Sequence, residues 1–243
     1  MILYYALGGG LGHLSRARKV LGEREDAVLL TASGHARDPR VTAGRPVIPV
    51  PRRLGRDRAA FRAWIAALLD ELQPDELLVD AFPGGVLGEL CGLELPPARL
   101  VGRRVRWDVY ARRLDGPLPR YDVVHALEPL GYAPPGPVEP LTLPHAAPGE
   151  PLADEPHTLI VHAGPEAELQ QLLALARGKT IVVHPKHRDV YPVEPHLAHA
   201  TRIITGAGFN AVQETAPYRD RHTAVPFARA LDDQHARAVA MRS

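Results

Sequence analysis

Short apolar runs alternate with helix-period stretches along this chain, and the first alternation is the sharpest. Met1 to Leu7 is an apolar run of strand length, and the glycines of Gly8-Gly9-Gly10-Leu11-Gly12-His13 form a loop with little side chain. Leu14, Ala17 and Leu21 then recur at helical spacing. The pattern predicts a strand, a Gly-rich turn and a helix start. Such a turn lets backbone N–H groups approach a ligand closely, and a helix N-terminus adds partial positive charge, so phosphate or another oxyanion is the natural guest.

The same grammar continues. Ala27 to Leu30 and Val47 to Pro51 read as strands, the second ended by prolines that suit a sheet edge. Arg58 to Leu72 puts Phe61, Trp64, Ile65, Leu68, Leu69 and Leu72 on one face, the clearest amphipathic helix of the chain. That face suits the cover of a sheet; peripheral docking on a membrane surface is its rival use. Glu76 to Asp80 predicts a strand ending in an acid, followed by Ala81-Phe82-Pro83-Gly84-Gly85 and an apolar helix through Leu90. Leu100 to Gly102 and Tyr121 to Ala126 predict two more strands, the latter closing an N-terminal sheet. Prolines then crowd residues 133–156. This predicts an interdomain linker over 137–156, with a short strand at Val138 to Leu143, between domains at 1–136 and 157–243. Beyond it, strands at Thr158 to Val161, Thr180 to Val183, Arg202 to Thr205 and His222 to Val225 alternate with helices at Glu166 to Ala176, Phe209 to Ala216 and Asp232 to Met241. Two such blocks imply an α/β chain of two Rossmann-like parallel-sheet domains.

Composition narrows the partners. The 243 residues carry 29 Lys plus Arg against 28 Asp plus Glu, so a net charge of +1 gives no global attraction to nucleic acid or anionic membrane. Locally, Arg103, Arg104, Arg106, Arg112 and Arg113 surround Trp107, but no nucleic-acid-binding module frames them, and a solvated helix face is the expectation. Cys91 is the single cysteine, which fits a reducing cytoplasm, and no signal peptide or apolar run of membrane-spanning length is evident.

The candidate chemistry lies where strands give way to helices. The first glycine turn is no P-loop, since no Gly-Lys-Ser/Thr follows, and it lacks the register and the strand-closing acid of a dinucleotide fingerprint. Ligands of open parallel sheets sit at the carboxyl ends of strands, where both the Gly10–Gly12 turn and Asp80 fall, so the two could share one cleft; Asp80 equally suits a helix cap. A helix N-terminus lowers the pKa of an imidazole, which suits His13 to accept a proton; a loop histidine packed on the next turn is the bland alternative. In the second block, Ile203-Ile204-Thr205-Gly206-Ala207-Gly208-Phe209-Asn210 again runs from a strand through small residues into a helix, offering a second anion site. Glu214 lies beyond reach of the phosphate and suits a sugar hydroxyl, as do the acids and amide of Asp232-Asp233-Gln234; an exposed carboxylate and a helix cap are their bland readings. His184-x-x-His187 and His196-x-x-His199 lack a third ligand at recognisable spacing, so no metal is expected.

Together, Gly8 to His13 with Arg16-Ala17, the segment Asp80 to Gly84, the run Ile204 to Glu214, and Pro226 with Asp233 to Ala238 resemble the GT-B glycosyltransferases. The resemblance is to the family that includes the N-acetylglucosaminyltransferase of peptidoglycan lipid-intermediate synthesis. It implies two Rossmann-like domains facing a cleft, with the acceptor on the N-terminal domain and a nucleoside diphosphate sugar, a UDP-sugar foremost, on the C-terminal one. No cofactor or metal is implied, only transfer of a hexose or N-acetylhexosamine to an acceptor hydroxyl with inversion. By position, Gly206, Gly208 and the amides of Phe209 and Asn210 would face the diphosphate, Glu214 the ribose, and Asp233 with Gln234 the sugar. Gly10 and Gly12 would line the acceptor side, with His13 or Asp80 as base. The chain departs from the pattern in its short length and in Val161-His162-Ala163-Gly164-Pro165-Glu166, which stands where a Gly-Ser-rich loop is expected. Those departures keep two other readings open: a non-catalytic nucleotide-sugar or partner-binding protein, and a sugar-nucleotide epimerase.

Overall fold

A computed structural model describes residues 1–8 and 10–241. It divides into two compact units, Met1–Leu143 and the chain from Pro144 onward. Gly9, one of the glycines of the first turn, lies outside the described residues.

The first unit is a seven-stranded parallel sheet. Its strands are β1 (Ile2–Tyr5), β2 (Ala27–Thr31), β3 (Val47–Pro49), β4 (Glu76–Asp80), β5 (Ala98–Gly102), β6 (Val123–Ala126) and β7 (Val138–Pro140), in spatial order β3-β2-β1-β4-β5-β6-β7. The order reverses between β1 and β4, which pair in register from Ile2 opposite Glu76 to Tyr5 opposite Val79. That reversal leaves a crevice at the carboxyl ends of β1 and β4, where open parallel sheets take their ligands. Helices α1 (Leu11–Leu21), α2 (Pro39–Thr42), α3 (Arg58–Leu72) and α4 (Trp107–Tyr110) connect the strands.

Helix α3 shows why the sequence was readable. Asp57 caps it by accepting from the Ala60 N–H at 3.0 Å, and Gln73 ends it in the left-handed region at φ 42°, just before Pro74. Phe61, Ile65 and Leu69 are buried in the core formed with Leu3, Tyr5, Leu77 and Val79, and Trp64, Leu68 and Leu72 pack at its margin. At about 1.5–3 kcal/mol for each fully buried side chain, the stripe is a major part of this unit's stability. The apolar face is thus spent inside the unit rather than held for a membrane, and no described helix is long and apolar enough to cross one.

Three expectations need correction. The apolar stretch through Leu90 forms no helix, because Gly85 and Gly88 adopt φ of 83° and 88° and the buried Glu89 carboxylate accepts from the N–H groups of Val86 (3.1 Å) and Leu87 (2.7 Å). Three tyrosines fix the resulting loop. The Tyr5 hydroxyl donates to Glu89, the Tyr110 hydroxyl donates to the Gly85 carbonyl (2.8 Å) while accepting from the Gly84 N–H (2.8 Å), and the Tyr121 hydroxyl donates to the Pro83 carbonyl (2.6 Å). Second, β6 does not close the sheet: Val138–Pro140, from the Pro-rich stretch, pairs beyond it as β7. Third, Arg103 leaves the expected solvated face and is buried at 6% exposure.

The second unit is a four-stranded parallel sheet of β8 (Thr158–Val161), β9 (Thr180–Val183), β10 (Arg202–Gly206) and β11 (His222–Val225), in order β11-β10-β8-β9. Helices α5 (Glu166–Leu173), α6 (Phe209–Glu214) and α7 (Gln234–Ala240) accompany it, and Leu169, Leu172 and Phe227 pack on Ile160 and Ile204. His222, at the start of β11, bonds Thr205 Oγ1 and Thr215 Oγ1 through its two ring nitrogens, both at 2.9 Å. Burial pushes this imidazole down from 6.5 to about 4.

A proton therefore binds the unfolded chain more readily than the folded one between these two values, so His222 makes stability rise with pH across that window and leaves it flat above. Urea unfolding of His222→Gln should show a shallower loss from pH 6.5 to 4.5 than the parent; parallel curves would exclude the histidine as the source.

Candidate active site

Strand β1 delivers the chain into the glycine turn, and Gly10, with φ −101° and ψ 170°, is the N-cap of α1 without a side-chain cap bond. Gly12 and His13 fall in the first turn of that helix, earlier than the apolar spacing predicted. His13 folds back over the turn: a Cβ on Gly8 would lie 2.1 Å from its Nε2, so only glycine leaves room for the ring. Strand β4, paired with β1, ends at Asp80, which is fully buried.

These two residues meet. His13 Nδ1 lies 2.5 Å from Asp80 Oδ2, while Arg16, one turn along α1, donates Nε to Oδ1 (2.7 Å) and Nη2 to Oδ2 (2.6 Å). The Tyr4 hydroxyl sits 3.4 Å from Oδ1. Arg16 is itself 3% exposed, so the carboxylate and guanidinium form a bidentate pair out of water. Arg16 Nη2 also lies 3.2 Å from His13 Nδ1, which would require that nitrogen to accept. The much closer carboxylate decides the matter: Nδ1 carries the proton and donates it to Asp80, leaving Nε2 with its lone pair on the Gly8 side.

Electrostatics follow from this packing. Burial would raise the Asp80 carboxyl, but Arg16 and then His13 outweigh it and hold the group well below the usual carboxylate range. Burial lowers the His13 imidazole below 6.5, opposed by Asp80 and reinforced by the positive fields of Arg16 and Arg103. The unit therefore offers a neutral, oriented imidazole beside a carboxylate that stays ionised. Phe82 forms the adjoining wall, its ring 5.8 Å from His13 and 5.6 Å from the Arg103 guanidinium. Asp80 is thus no helix cap; nor is it open to a ligand.

In the second unit, the small residues expected around an anion gather at the carboxyl ends of β8, β10 and β11. Gly206 ends β10, and Gly208 is the N-cap of α6. Phe209 and Asn210 open that helix, and Glu214 is its last residue. The Ala207 carbonyl between the glycines accepts from buried Arg237 of α7 at 3.0 Å, and Arg237 also binds Asp232 at 2.9 Å. Gln234 Oε1 accepts from the Phe227 N–H at 3.0 Å, and its Nε2 lies 3.8 Å from where a Cβ on Gly208 would stand. Asp233 caps α7, accepting from the Ala236 N–H at 3.0 Å. That engages one of its oxygens in the helix-cap role foreseen for the acids of this stretch. The sequence reading missed His162, just past β8. Its Nδ1 is 3.8 Å from a Gly206 Cβ position, its Nε2 3.1 Å from Glu168 Oε2, and Arg229 holds Glu168 through two 2.5 Å bonds. Its place where a Gly-Ser-rich loop was expected was the available signal.

No family model and no curated protein sequence matches the chain. Solved structures do. SnogD, a glycosyltransferase from Streptomyces nogalater, superposes with TM-score 0.53 at 15% identity over 99% of this chain and 84% of its own. SsfS6 from Streptomyces sp. SF2575, a glycosyltransferase solved with thymidine diphosphate, gives 0.56 at 15% identity over 93% and 82%. MurG from Acinetobacter baumannii gives 0.54 at 14% identity over 99% and 82%. The fold is GT-B. Identities this low carry the architecture alone, and the chemistry rests on the side chains.

Removing the charge at the centre of the first site should be costly. Asp80→Asn leaves Arg16 buried without its counter-ion and should lose about 3–5 kcal/mol in urea unfolding, whereas Arg16→Met/Asp80→Leu should recover most of that loss. A loss below about 1 kcal/mol in Asp80→Asn would show that water already screens the pair.

Proposed function

We propose that the protein is a glycosyltransferase that moves a hexose or N-acetylhexosamine from a nucleoside diphosphate sugar to an acceptor hydroxyl, with inversion and without a metal ion in the transfer step. The observation that carries the proposal is the neutral, oriented His13, held by Asp80 at the β1–β4 reversal of a chain with the GT-B fold.

In this reading His13 Nε2 takes the hydroxyl proton as the acceptor oxygen attacks the anomeric carbon, and the C–O bond to the diphosphate breaks on the opposite face. A single displacement of this kind inverts the centre. Asp80 does not act as the base, because its pairing with Arg16 and His13 leaves the carboxylate weakly basic and both oxygens occupied; it fixes the Nδ1–H tautomer and stabilises the imidazolium that forms. The donor belongs to the second unit, with its diphosphate over Gly206 and Gly208 and the backbone of Phe209 and Asn210. Glu214 takes the ribose hydroxyls, and Gln234, with the free oxygen of Asp233, takes the sugar. Helix α6 has only six residues, so local N–H groups rather than a helix macrodipole carry the anion. UDP and dTDP sugars are the first donors to test, the latter because SsfS6 was solved with thymidine diphosphate.

His13→Ala should lower kcat by about 10²–10⁴-fold while leaving donor affinity within a factor of two or so. Glu214→Ala should weaken donor binding about tenfold, the equivalent of one charge-assisted hydrogen bond. Calorimetric titration with UDP, dTDP and their sugars, paired with steady-state rates, separates the two effects; activity unchanged in both variants sinks the assignment. Donor binding with no turnover across an acceptor panel would instead favour a non-catalytic role, and product formed from donor alone an epimerase.

The pH dependence has a definite sign. His13 must be deprotonated to accept a proton, and its pKa lies below 6.5, so kcat/KM should climb with pH on the acid side and level off by about pH 7. A rate still climbing tenfold per unit above pH 7.5 would assign the base elsewhere.

A further inference from the structure

The second unit holds a cluster that the proposed transfer does not use. Beyond β9 the chain turns through His184-Pro185-Lys186-His187, closed by His187 and Arg188 N–H bonds to the His184 carbonyl at 2.9 and 3.0 Å. The turn places the two imidazoles on one side, with ring centroids 5.3 Å apart. From the neighbouring strand end, Glu166 at the first position of α5 brings its carboxylate to the same place. One ligand atom from each of Glu166, His184 and His187 lies within 4.8 Å of the others. Spacing along the sequence suggested no third ligand for the His184–His187 pair. The parallel pairing of β8 with β9 supplies one, from 18 residues upstream.

We propose that Glu166, His184 and His187 bind one divalent cation of the zinc class, leaving a fourth position for water or an exogenous oxygen ligand. Two imidazoles and a carboxylate form a borderline donor set suited to Zn²⁺ and Co²⁺ rather than to Mg²⁺ or Ca²⁺, which prefer all-oxygen cages. His187 Nε2 and Glu166 Oε2 are already 3.3 Å apart. Two ligand atoms on one tetrahedral ion, with bonds of about 2.0–2.1 Å, stand about 3.4 Å apart, so this edge is preformed. The rest of the cluster contracts by at most about 1.4 Å, within reach of the exposed side chains of Glu166 and His187.

The outer shell points the same way. Gln170 Nε2 donates to Glu166 Oε1 at 3.0 Å, orienting the carboxylate and leaving Oε2 toward His187. His184 Nε2 donates to the Gly164 carbonyl at 3.0 Å, which leaves Nδ1 as its lone-pair nitrogen; Nδ1 accepts from the Lys186 N–H at 3.1 Å, a bond that the ion replaces on binding. A ligating histidine typically anchors its other N–H on a backbone carbonyl in this way. Lys186 and Arg188 lie in the same turn and disfavour a cation, so the Glu166 charge is essential to the site. Occupancy would tie the 162–166 loop after β8 to the 184–188 turn after β9. None of the three ligands has a role in the proposed transfer, so this site stands or falls separately from it.

The test uses the full chain after EDTA treatment and desalting, titrated with Co²⁺ and then Zn²⁺. One equivalent of Co²⁺ should produce the visible absorption of a tetrahedral ion, and one equivalent of Zn²⁺ should bleach it. Glu166→Gln and His187→Ala change exposed side chains and should fold normally by circular dichroism, yet weaken binding at least about tenfold. Gln170→Ala, which removes only the outer-shell bond, should weaken it by up to about that much. His196→Ala, in the other histidine pair, should bind as the parent does. Failure to bind one equivalent, or binding unchanged in both Glu166→Gln and His187→Ala, overturns the proposal.

Discussion

The Asp80 carboxylate is the constraint on which the first unit is arranged. A carboxylate removed wholly from water is tolerable only if paired and fully hydrogen-bonded, and here Arg16 covers both oxygens while His13 takes what remains. Because Asp80 ends β4 and its partners sit on the first two turns of α1, satisfying the charge also fixes the helix against the β1–β4 crevice. Gly8 is required for the same reason, since any larger residue would strike the ring that Asp80 holds in place. One buried charge thus sets backbone path, helix placement and imidazole tautomer together. A histidine on a flexible loop would have none of these fixed.

The second unit repeats the theme with different parts. His162 follows its first strand as His13 follows β1; Glu168 stands beside it, and Arg229 holds Glu168 as Arg16 holds Asp80. The repeat is looser. Glu168 is partly exposed, and Glu168 and Arg229 come from a helix and a loop rather than from a strand end and the adjacent helix. In each unit a histidine at the carboxyl end of the first strand is kept neutral by burial, with a carboxylate that an arginine keeps ionised. Both arrangements stand where parallel sheets present their ligand crevices.

Much of the fold was legible because local signals agreed. Helix α3 carries its cap, its stripe and its left-handed end in sequence, and strands such as Glu76–Asp80 and Thr158–Val161 are bounded by turn residues. The apolar run through Leu90 misled because Gly85 and Gly88 take positive φ and Glu89 binds the N–H groups of Val86 and Leu87, a loop that Tyr5, Tyr110 and Tyr121, partners no local window contains, then hold. The strand at Val138 was legible, but not its place: amid prolines, which an edge position tolerates, it read as part of a linker rather than as the edge of the first sheet. At the site, His13 and Asp80 could be named from their places at strand ends, but not the division of labour between them. That depends on Arg16, which from sequence is one of many arginines and in the structure is the counter-ion. Arg229, which holds the Glu168 beside His162, and the Glu166 that joins His184 and His187 were illegible for a related reason: they reach their partners only through the sheet's pairing, not through the sequence.

Asp80 holds His13 neutral with its proton on Nδ1. The ¹⁵N chemical shifts of the His13 imidazole as a function of pH, assigned by comparison with His13→Gln, report that state most directly. An Nδ1–H tautomer with an unprotonated Nε2 at pH 7 and a single titration below pH 6.5 are expected. A proton on Nε2 at pH 7, or a titration above pH 7, would contradict it.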